Sequence, residues 1–300
     1  MQLSLILCTR NRADALERCL AAIPGDELQA ADAELVLVDN GSTDRTPEVM
    51  ERFRGEAGFP VICMREEKPG LSWARNAGLR AARGEMLAFT DDDCYLEPGY
   101  LESAVQLLGK DTFQFCGGRL LPYDLSDSPY GFNEDDQFRL FPPKSVIPAG
   151  VIQGANMIFQ RRVVEAVGGF DTRLGAGTPF RCEDIEYAAR ASMAGFTGAY
   201  TPELAVRHHH GRKPGPEIKT LKRQNDVARG AYYSRLILMG NLRYLAHWAK
   251  MAFRRQKPSV TLREIRGALA FTASRIFHRD GSRDGDRRPE TARAGKGGRT

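Results

Sequence analysis

Three hundred residues, 42% of them hydrophobic and 27% charged, suffice for one large core and exclude a fibrous or wholly disordered chain. The net charge of +5 conceals an asymmetry: residues 1–206 carry 20 Lys and Arg against 31 Asp and Glu, whereas residues 207–300 carry 23 against 7. Six cysteines, at 8, 19, 63, 94, 116 and 182, are widely spaced and form no C-x-x-C pair, so neither a zinc site nor a disulfide framework is suggested and a reducing, cytoplasmic setting is expected.

Leu3–Cys8 is a buried-strand type of run, and Ala13–Ile23 places Leu16, Leu20 and Ile23 at helical spacing. Glu34–Val38 reads as a second strand, stopped by the turn-forming D-N-G-S at 39–42. Thr46–Arg54 is the next helix, with Pro47 near its first position, where a missing N–H costs nothing. Val61–Arg65 is a third strand, Leu71–Ala82 a helix and Met86–Thr90 a fourth strand. Strict alternation of strand and helix predicts an α/β fold, its parallel sheet covered by helices on both faces.

Ligands of such sheets bind beyond the carboxyl ends of the strands. Three of these ends carry polar clusters: T-R-N-R after the first, D-N-G-S-T-D after the second and T-D-D-D after the fourth. Their convergence on one crevice is the main functional signal.

A helix over Glu97–Leu108 follows, then strands over Phe113–Leu121 and Gly150–Phe159 and a short helix over Arg161–Val167. Between them Pro122–Pro148, rich in Pro and Asp, reads as a lid or an acceptor-side loop. Ile185–Ala194 is helical, and Leu204–Val206 leads into three consecutive histidines.

The character then changes. Ala231–Arg255 reads as one helix with a broad apolar surface including Tyr232, Leu236, Leu242, Trp248 and Phe253. Its Arg235, Arg243, Lys250 and Arg254 fall within about a third of the circumference. Thr261–Phe277 is a second such segment, carrying Arg263, Arg266 and Arg275. Two readings stand: the helices pack on the catalytic domain with arginines outward, or they face an anionic membrane surface. No nucleic-acid motif accompanies the charge. From Arg279 the Gly-, Arg- and Asp-rich chain has little to bury and is expected to be disordered. The expected partition is 1–212 catalytic, 213–278 a basic amphipathic helical extension and 279–300 a tail. The first residues lack the pattern of a signal peptide, and no run of 18 apolar residues predicts a spanning helix. The expected location is therefore cytoplasmic, with peripheral contact on the inner face of the cell membrane.

The chemistry centres on Asp91–Asp92–Asp93. Three like charges at a strand end are costly unless a cation neutralises them, and hard carboxylate oxygens suit Mg²⁺ or Mn²⁺. The competing reading is a solvated acidic turn. Arg75 lies on the preceding helix, within reach of a phosphate or ribose; Thr9, Arg12 and Asp39 follow other strand ends, and Asp39 offers an acceptor to a base N–H. Glu183–Asp184 precedes a helix, where a carboxylate can act as a general base or as an N-cap.

The strings C-T-R-N-R (8–12), V-D-N-G-S-T-D (38–44), A-R-N-A-G (74–78), F-T-D-D-D (89–93), Q-G-A-N (153–156), G-G-F-D (168–171), E-D-I-E (183–186) and H-H-H (208–210) stand in an order that resembles family 2 glycosyltransferases. The resemblance covers about residues 2–210. It implies the GT-A fold, a Rossmann-like, mostly parallel central sheet flanked by helices, here with a C-terminal helical extension. It also implies an inverting, metal-dependent transfer from a nucleotide diphosphate sugar, UDP-linked by preference, to a glycan or lipid-linked glycan.

By the same resemblance, Thr9, Arg12, Asp39 and Arg75 are nucleotide contacts. Asp91–Asp93 is the D-x-D element, with Asp93 and Asp91 on the Mn²⁺ or Mg²⁺ and Asp92 near the ribose. Asp184 is the base, His208 a further metal or diphosphate contact, and Gln153, Gly154, Asn156 and Glu183 belong to the donor-sugar and acceptor pocket. Cys8 departs from the proline that many relatives carry. Two alternatives remain, a sugar nucleotidyltransferase and a non-catalytic nucleotide-sugar binder. The first is expected to carry a Gly-rich basic loop after its first strand, and C-T-R-N-R-A-D is not one.

Overall fold

A computed structural model describes residues 1–277. Its first half alternates as the spacing predicts: β1 (Leu3–Thr9), α1 (Ala13–Ala21), a short α2 (Gly25–Ala30), β2 (Ala33–Asp39), α3 (Thr46–Glu56), β3 (Val61–Arg65), α4 (Leu71–Ala81) and β4 (Met86–Asp91). There follow β5 (Cys94–Leu96), α5 (Tyr100–Gly109), β6 (Phe115–Pro122), β7 (Arg139–Phe141), β8 (Met157–Gln160), α6 (Arg161–Val167), α7 (Glu183–Met193) and β9 (Gly198–His208). Three helices close the described chain: α8 (Pro216–Leu238), α9 (Arg243–Arg255) and α10 (Pro258–Phe277).

One sheet runs β3-β2-β1-β4-β8-β6-β9-β5, with β7 also paired to β9. Its first four strands are parallel, so their carboxyl ends open on one side. The second half is mixed: β8 is antiparallel to β4 and β6, β5 and β7 are antiparallel to β9, and β6 and β9 run parallel. Strand alternation sorts side chains between the two faces. Leu3, Leu5 and Leu7 pack with Leu16, Leu20, Val49 and Leu101 on one face, while Ile6, Val36 and Val38 meet Ala74, Ala77 and Tyr187 on the other. Truncating any of these buried leucines to alanine costs about 2–5 kcal/mol.

Two expected elements take a different shape. Residues 150–156 are turns, with Gly150 at φ 85° and a bridge between Gln153 and Asn156, so only Met157–Gln160 of the expected Gly150–Phe159 strand enters the sheet. The single helix expected over Ala231–Arg255 is two. Gly240 takes φ 88°, the Asn241 N–H bonds Leu236 O at 3.1 Å, and the Gly240 N–H bonds Ile237 O at 2.9 Å. That double closure ends a helix at a left-handed glycine.

The break separates the cations that a single helix would align. Arg235 turns inward to Asp171 (3.1 Å) and Glu186 (3.3 Å), fastening α8 to α7, while Arg243, Lys250 and Arg254 stay on the surface of α9. Tyr232, Leu236, Tyr244 and Phe271 form a third core with Phe180 and Ala189. The tail expected at 279–300 lies outside the described residues, and among those described no helix is long and apolar enough to cross a membrane.

Candidate active site

Parallel pairing fixes the register in which strand ends meet: Thr9 lies beside Asp39, Cys8 beside Asp91, and Asp39 beside Arg65. The loops beyond are stitched together. Asn11, at φ 52°, donates its N–H to Ser42 Oγ (2.8 Å) and accepts from the Thr43 N–H (2.7 Å). Asn40 donates to Glu66 O and Lys68 O and accepts from the Gly70 N–H, tying the β2 end to the start of α4.

Asp39 is buried; its Oδ1 accepts from the Ser42 N–H (2.8 Å) and its Oδ2 from Arg65 Nη1 (2.7 Å). Sequence reasoning passed over Arg65. The signal was its place at the end of β3, opposite Asp39.

The three aspartates part company. Asp92 is buried, accepts from Thr9 Oγ1 (2.7 Å) and lies 3.3 Å from Arg12 Nη1. Burial pushes its carboxyl up to about 7, against the opposing pull of Arg12 and Thr9. Asp93 is held at about 2: burial works to raise it, but His208 (3.3 Å) and Arg12 (2.7 Å) prevail. Asp91 is raised, first by burial and then by the charges of Asp93 and Asp184, against the pull of Arg75 and His208. Arg12, expected to touch the nucleotide, spans Asp92 and Asp93 in this structure.

Arg75 is 2% exposed. Its Nη1 donates to Glu183 Oε1 (2.8 Å) and its Nη2 lies 3.6 Å from Asp91 Oδ1, so it joins the end of β4 to the start of α7. Glu183 is buried with it, beneath the partly exposed Asp91 and Asp184. The Glu183 carboxyl is pushed up by burial and by the Asp184 charge, with Arg75 opposing. Gly154 makes room for this arrangement, because a Cβ there would stand 2.3 Å from Arg75 Nη2.

Asp184 occupies the first turn of α7 and is partly exposed. Its Oδ2 accepts from the Gly154 N–H (2.9 Å) and its Oδ1 from the Ile185 N–H (2.7 Å). Two N–H donors orient the carboxylate and leave lone pairs free for a proton. Gln153, beside Gly154, points its amide to Gly150 O (3.1 Å). Asn156 lies elsewhere than the expected pocket. It is fully buried, donates to Arg119 O and Leu204 O and accepts from Tyr100 Oη, so its polar atoms serve the core.

The donor set fits a divalent cation. Asp93, Cys94 and His208 bring one ligand atom each within 4.8 Å of one another, and His208 Nδ1 is buried without a hydrogen-bond partner among the described residues. Burial drives the Cys94 thiol far above its ordinary range, and a hard cation such as Mg²⁺ or Mn²⁺ prefers the carboxylate oxygen and imidazole nitrogen to sulfur. A second group, Asp124, Asp127 and His209, is closed by Lys213 Nζ at 2.7 and 2.8 Å from the two carboxylates, so a cation already sits there.

Comparison with known proteins identifies the family of the chain. The family model described as Glycosyl transferase family 2 matches residues 4–168, more than half of the chain. Glycosyltransferase AglE of Haloferax volcanii is 27% identical, over 88% of this chain and 84% of its own length. The glucosyl-dolichyl phosphate glucuronosyltransferase of the same organism is 25% identical over 58% of each chain. Among solved structures, a mannosyltransferase from Pyrobaculum calidifontis in complex with GDP-Man and Mn²⁺ superposes with a TM-score of 0.65 at 20% identity, covering 92% of this chain and 79% of that one. TarS 1–349 of S. aureus in complex with UDP-GlcNAc gives 0.61 at 17% identity, covering 85% and 73%. At those identities the superpositions speak for the GT-A fold alone.

Proposed function

Because the chain belongs to glycosyl transferase family 2, we propose that it moves a sugar, with inversion, from a nucleotide diphosphate sugar to an acceptor hydroxyl. One observation carries the reading: at the carboxyl end of β4 Asp93 faces His208 (3.3 Å), and Arg75 links Asp91 (3.6 Å) to Glu183 (2.8 Å), the neighbour of an Asp184 whose carboxylate is oriented by the Gly154 N–H. Asp184 Oδ takes the proton of the acceptor hydroxyl as that oxygen bonds to the anomeric carbon. The bond to the diphosphate breaks, and its electrons leave on the β-phosphate oxygen. Positioned general-base assistance contributes about 10²–10⁴-fold.

Asp91, Asp93 and His208 would hold Mn²⁺ or Mg²⁺, whose positive charge offsets that developing on the departing diphosphate. Asp39 offers its carboxylate to a base N–H, Thr9 and Asp92 lie toward the ribose, and Arg12 swings from Asp92 and Asp93 to the nucleotide. Arg75 orders Glu183 and Asp91 behind the donor, and Gln153, Gly154 and Glu183 border the sugar and acceptor pocket. UDP is the favoured nucleotide. The acceptor class is a glycan or lipid-linked glycan of polysaccharide or glycolipid assembly, reached from the cytoplasmic side at an anionic membrane surface.

A panel of nucleoside diphosphate sugars, read for Mn²⁺-dependent release of the nucleoside diphosphate and for thermal stabilisation, tests the reading. A UDP-sugar is expected to give both. Silence from every donor in both assays would overturn the transferase reading, and a response to GDP-sugars alone would overturn the nucleotide preference.

A further inference from the structure

Most surface helices bury their apolar stripe and show water their charges. The helix α9 buries one stripe and exposes another. Its inward side is occupied: Tyr244 is buried and stands edge-on to Tyr232, Trp248 stacks on Tyr233, and Arg255 pairs with Glu264. On the outward side Leu242 is 67% exposed and Phe253 81%, with Leu245 also in solvent. At 100° per residue these three fall within an arc of about 80°, and Arg243, Lys250 and Arg254 within an adjoining arc of about 40°.

The neighbouring α10 repeats the pattern. Leu262, Ile265 and Leu269 are exposed along one side, and an apolar groove of about 700 Å³ between the end of α9 and the start of α10 is lined by Ala252, Leu262 and Ile265. Large exposed apolar side chains of this chain are concentrated on these two helices and on the turn before them. Exposed apolar side chains on both helices, with cations beside them, match the chemistry of an anionic lipid bilayer, which offers acyl chains to the apolar side chains and phosphates to the basic ones.

We infer that α9 and α10 form a docking face for an anionic lipid bilayer. The occupant follows from charge complementarity: the chain beyond 206 carries the whole positive excess of the molecule, with 23 basic against 7 acidic residues. The docking face is joined to the site by contacts already formed. Arg243 donates to Lys144 O (3.1 Å), Tyr232 Oη to Ile147 O (3.4 Å) and Asn225 to Tyr130 Oη (2.8 Å), so α8 and α9 hold the segment that leads into Gln153 and Gly154. A lipid-linked acceptor is thereby brought toward the Asp184 side of the crevice; that last step rests on the transfer reading, whereas docking does not.

The test is sedimentation of the full chain with vesicles of phosphatidylcholine alone and with a third phosphatidylglycerol, in low and high salt, without substrate. Binding is expected only to the anionic vesicles and is expected to weaken with salt. Replacing Leu242, Leu245 and Phe253 together by Ser should lower the partition coefficient at least about a hundredfold. Replacing Arg243, Lys250 and Arg254 by Gln should lower it about a hundredfold for anionic vesicles. All six side chains are exposed, so unchanged thermal melts are expected to show that the fold persists. Equal binding by wild type and both variants, or no binding by wild type, overturns the proposal. So does a wild-type dimer in light scattering that becomes monomeric in the Ser variant while vesicles bind neither, since the face then serves a second copy. Nucleoside diphosphate release from donor alone keeps the two readings separable: an inactive chain that still docks sinks the transfer reading, and an active chain that never docks sinks this one.

Discussion

At the carboxyl ends of β1 and β4 and the start of α7, five acidic side chains (Asp91, Asp92, Asp93, Glu183 and Asp184) crowd around two arginines, Arg12 and Arg75. Beneath the C-terminal helices the ratio is reversed. There Asp226 and Glu264 are held by Arg229, Arg255 and Arg263, and Trp248 donates its Nε1–H to Glu264 Oε2 at 2.7 Å. Both regions bury carboxylates, among them Asp92 and Glu183 in the first and Asp226 and Glu264 in the second. The second answers every negative charge from its own residues and is a closed structural joint. The first leaves negative charge uncompensated beside an open crevice, which is the condition for recruiting a cation and its anionic ligand. The difference teaches that it is the charge imbalance, and not the density of buried charge, that distinguishes a site from a brace.

The largest effects separate the two regions cleanly. Asp184→Asn is nearly isosteric and keeps one of the two N–H hydrogen bonds through its amide oxygen, but it removes the proton acceptor, so turnover should fall about 10²–10⁴-fold with donor affinity preserved. Steady-state rates alongside donor titration check this, and near-normal turnover would end the assignment. Glu264→Gln acts in the other region. It takes from Arg255 its counter-ion and leaves Arg229 with Asp226 alone, and should cost about 3–5 kcal/mol in denaturant unfolding. The donor reaction of the protein that remains folded should be unchanged; a loss of donor reaction without a loss of stability would mean that the joint is part of the site.

The two regions were also unequally legible. Around the site, short apolar runs alternate with turn residues, and β1 to β4 with α1, α3 and α4 between them are legible to within a residue or two, whereas the six-residue α2 is too short for a periodic signal and is missed. The aspartate cluster announced itself because like charges at a strand end have no structural use. The partners of those charges are set by tertiary contact and were hidden. Nothing local shows that Arg75 turns to Glu183, 108 positions away, or that Gly154 clears space for it. Asn156 sits in a recognisable string, yet Tyr100 and two carbonyls claim it. Most of β9 escaped notice because the strand is interrupted, its register against β6 shifting between Gly117 and Arg119 where Thr201-Pro202-Glu203 intervenes. In the helical layer a 25-residue apolar and basic pattern looked continuous, and one left-handed glycine divided it.

Smaller effects probe the imbalance itself. Asp91→Asn removes one of the crowded charges without disturbing the fold, so the cation-free protein should gain about 0.5–2 kcal/mol while losing activity, the trade expected where a site is held under electrostatic strain. The corresponding change at Asp226 should lower stability instead. Opposite signs in thermal melts confirm the contrast between the regions, and the same sign at both would break it.

The last effect is a pH dependence. Asp92 has a folded pKa raised to about 7, above the ordinary aspartate value near ~3.9. A carboxyl shifted upward contributes stability that is fully present below the unfolded value and is lost as pH rises through about 7. Asp93, held at about 2, contributes with the opposite sign: its stabilisation is present above the unfolded value and is lost only as pH falls toward 2. Between about pH 4 and 7 the Asp92 contribution therefore changes while that of Asp93 is saturated. The melting temperature of cation-free protein should decline over that window, and the decline should be shallower in Asp92→Asn. Saturating Mn²⁺ should flatten it too, because positive charge at Asp91 and Asp93 cancels the field that helps keep Asp92 protonated. A melting temperature in Asp92→Asn that falls as steeply as in wild type would place the titrating group elsewhere. A wild-type slope indifferent to Mn²⁺ would mean that the cation does not enter among these carboxylates, and the imbalance would then need another explanation.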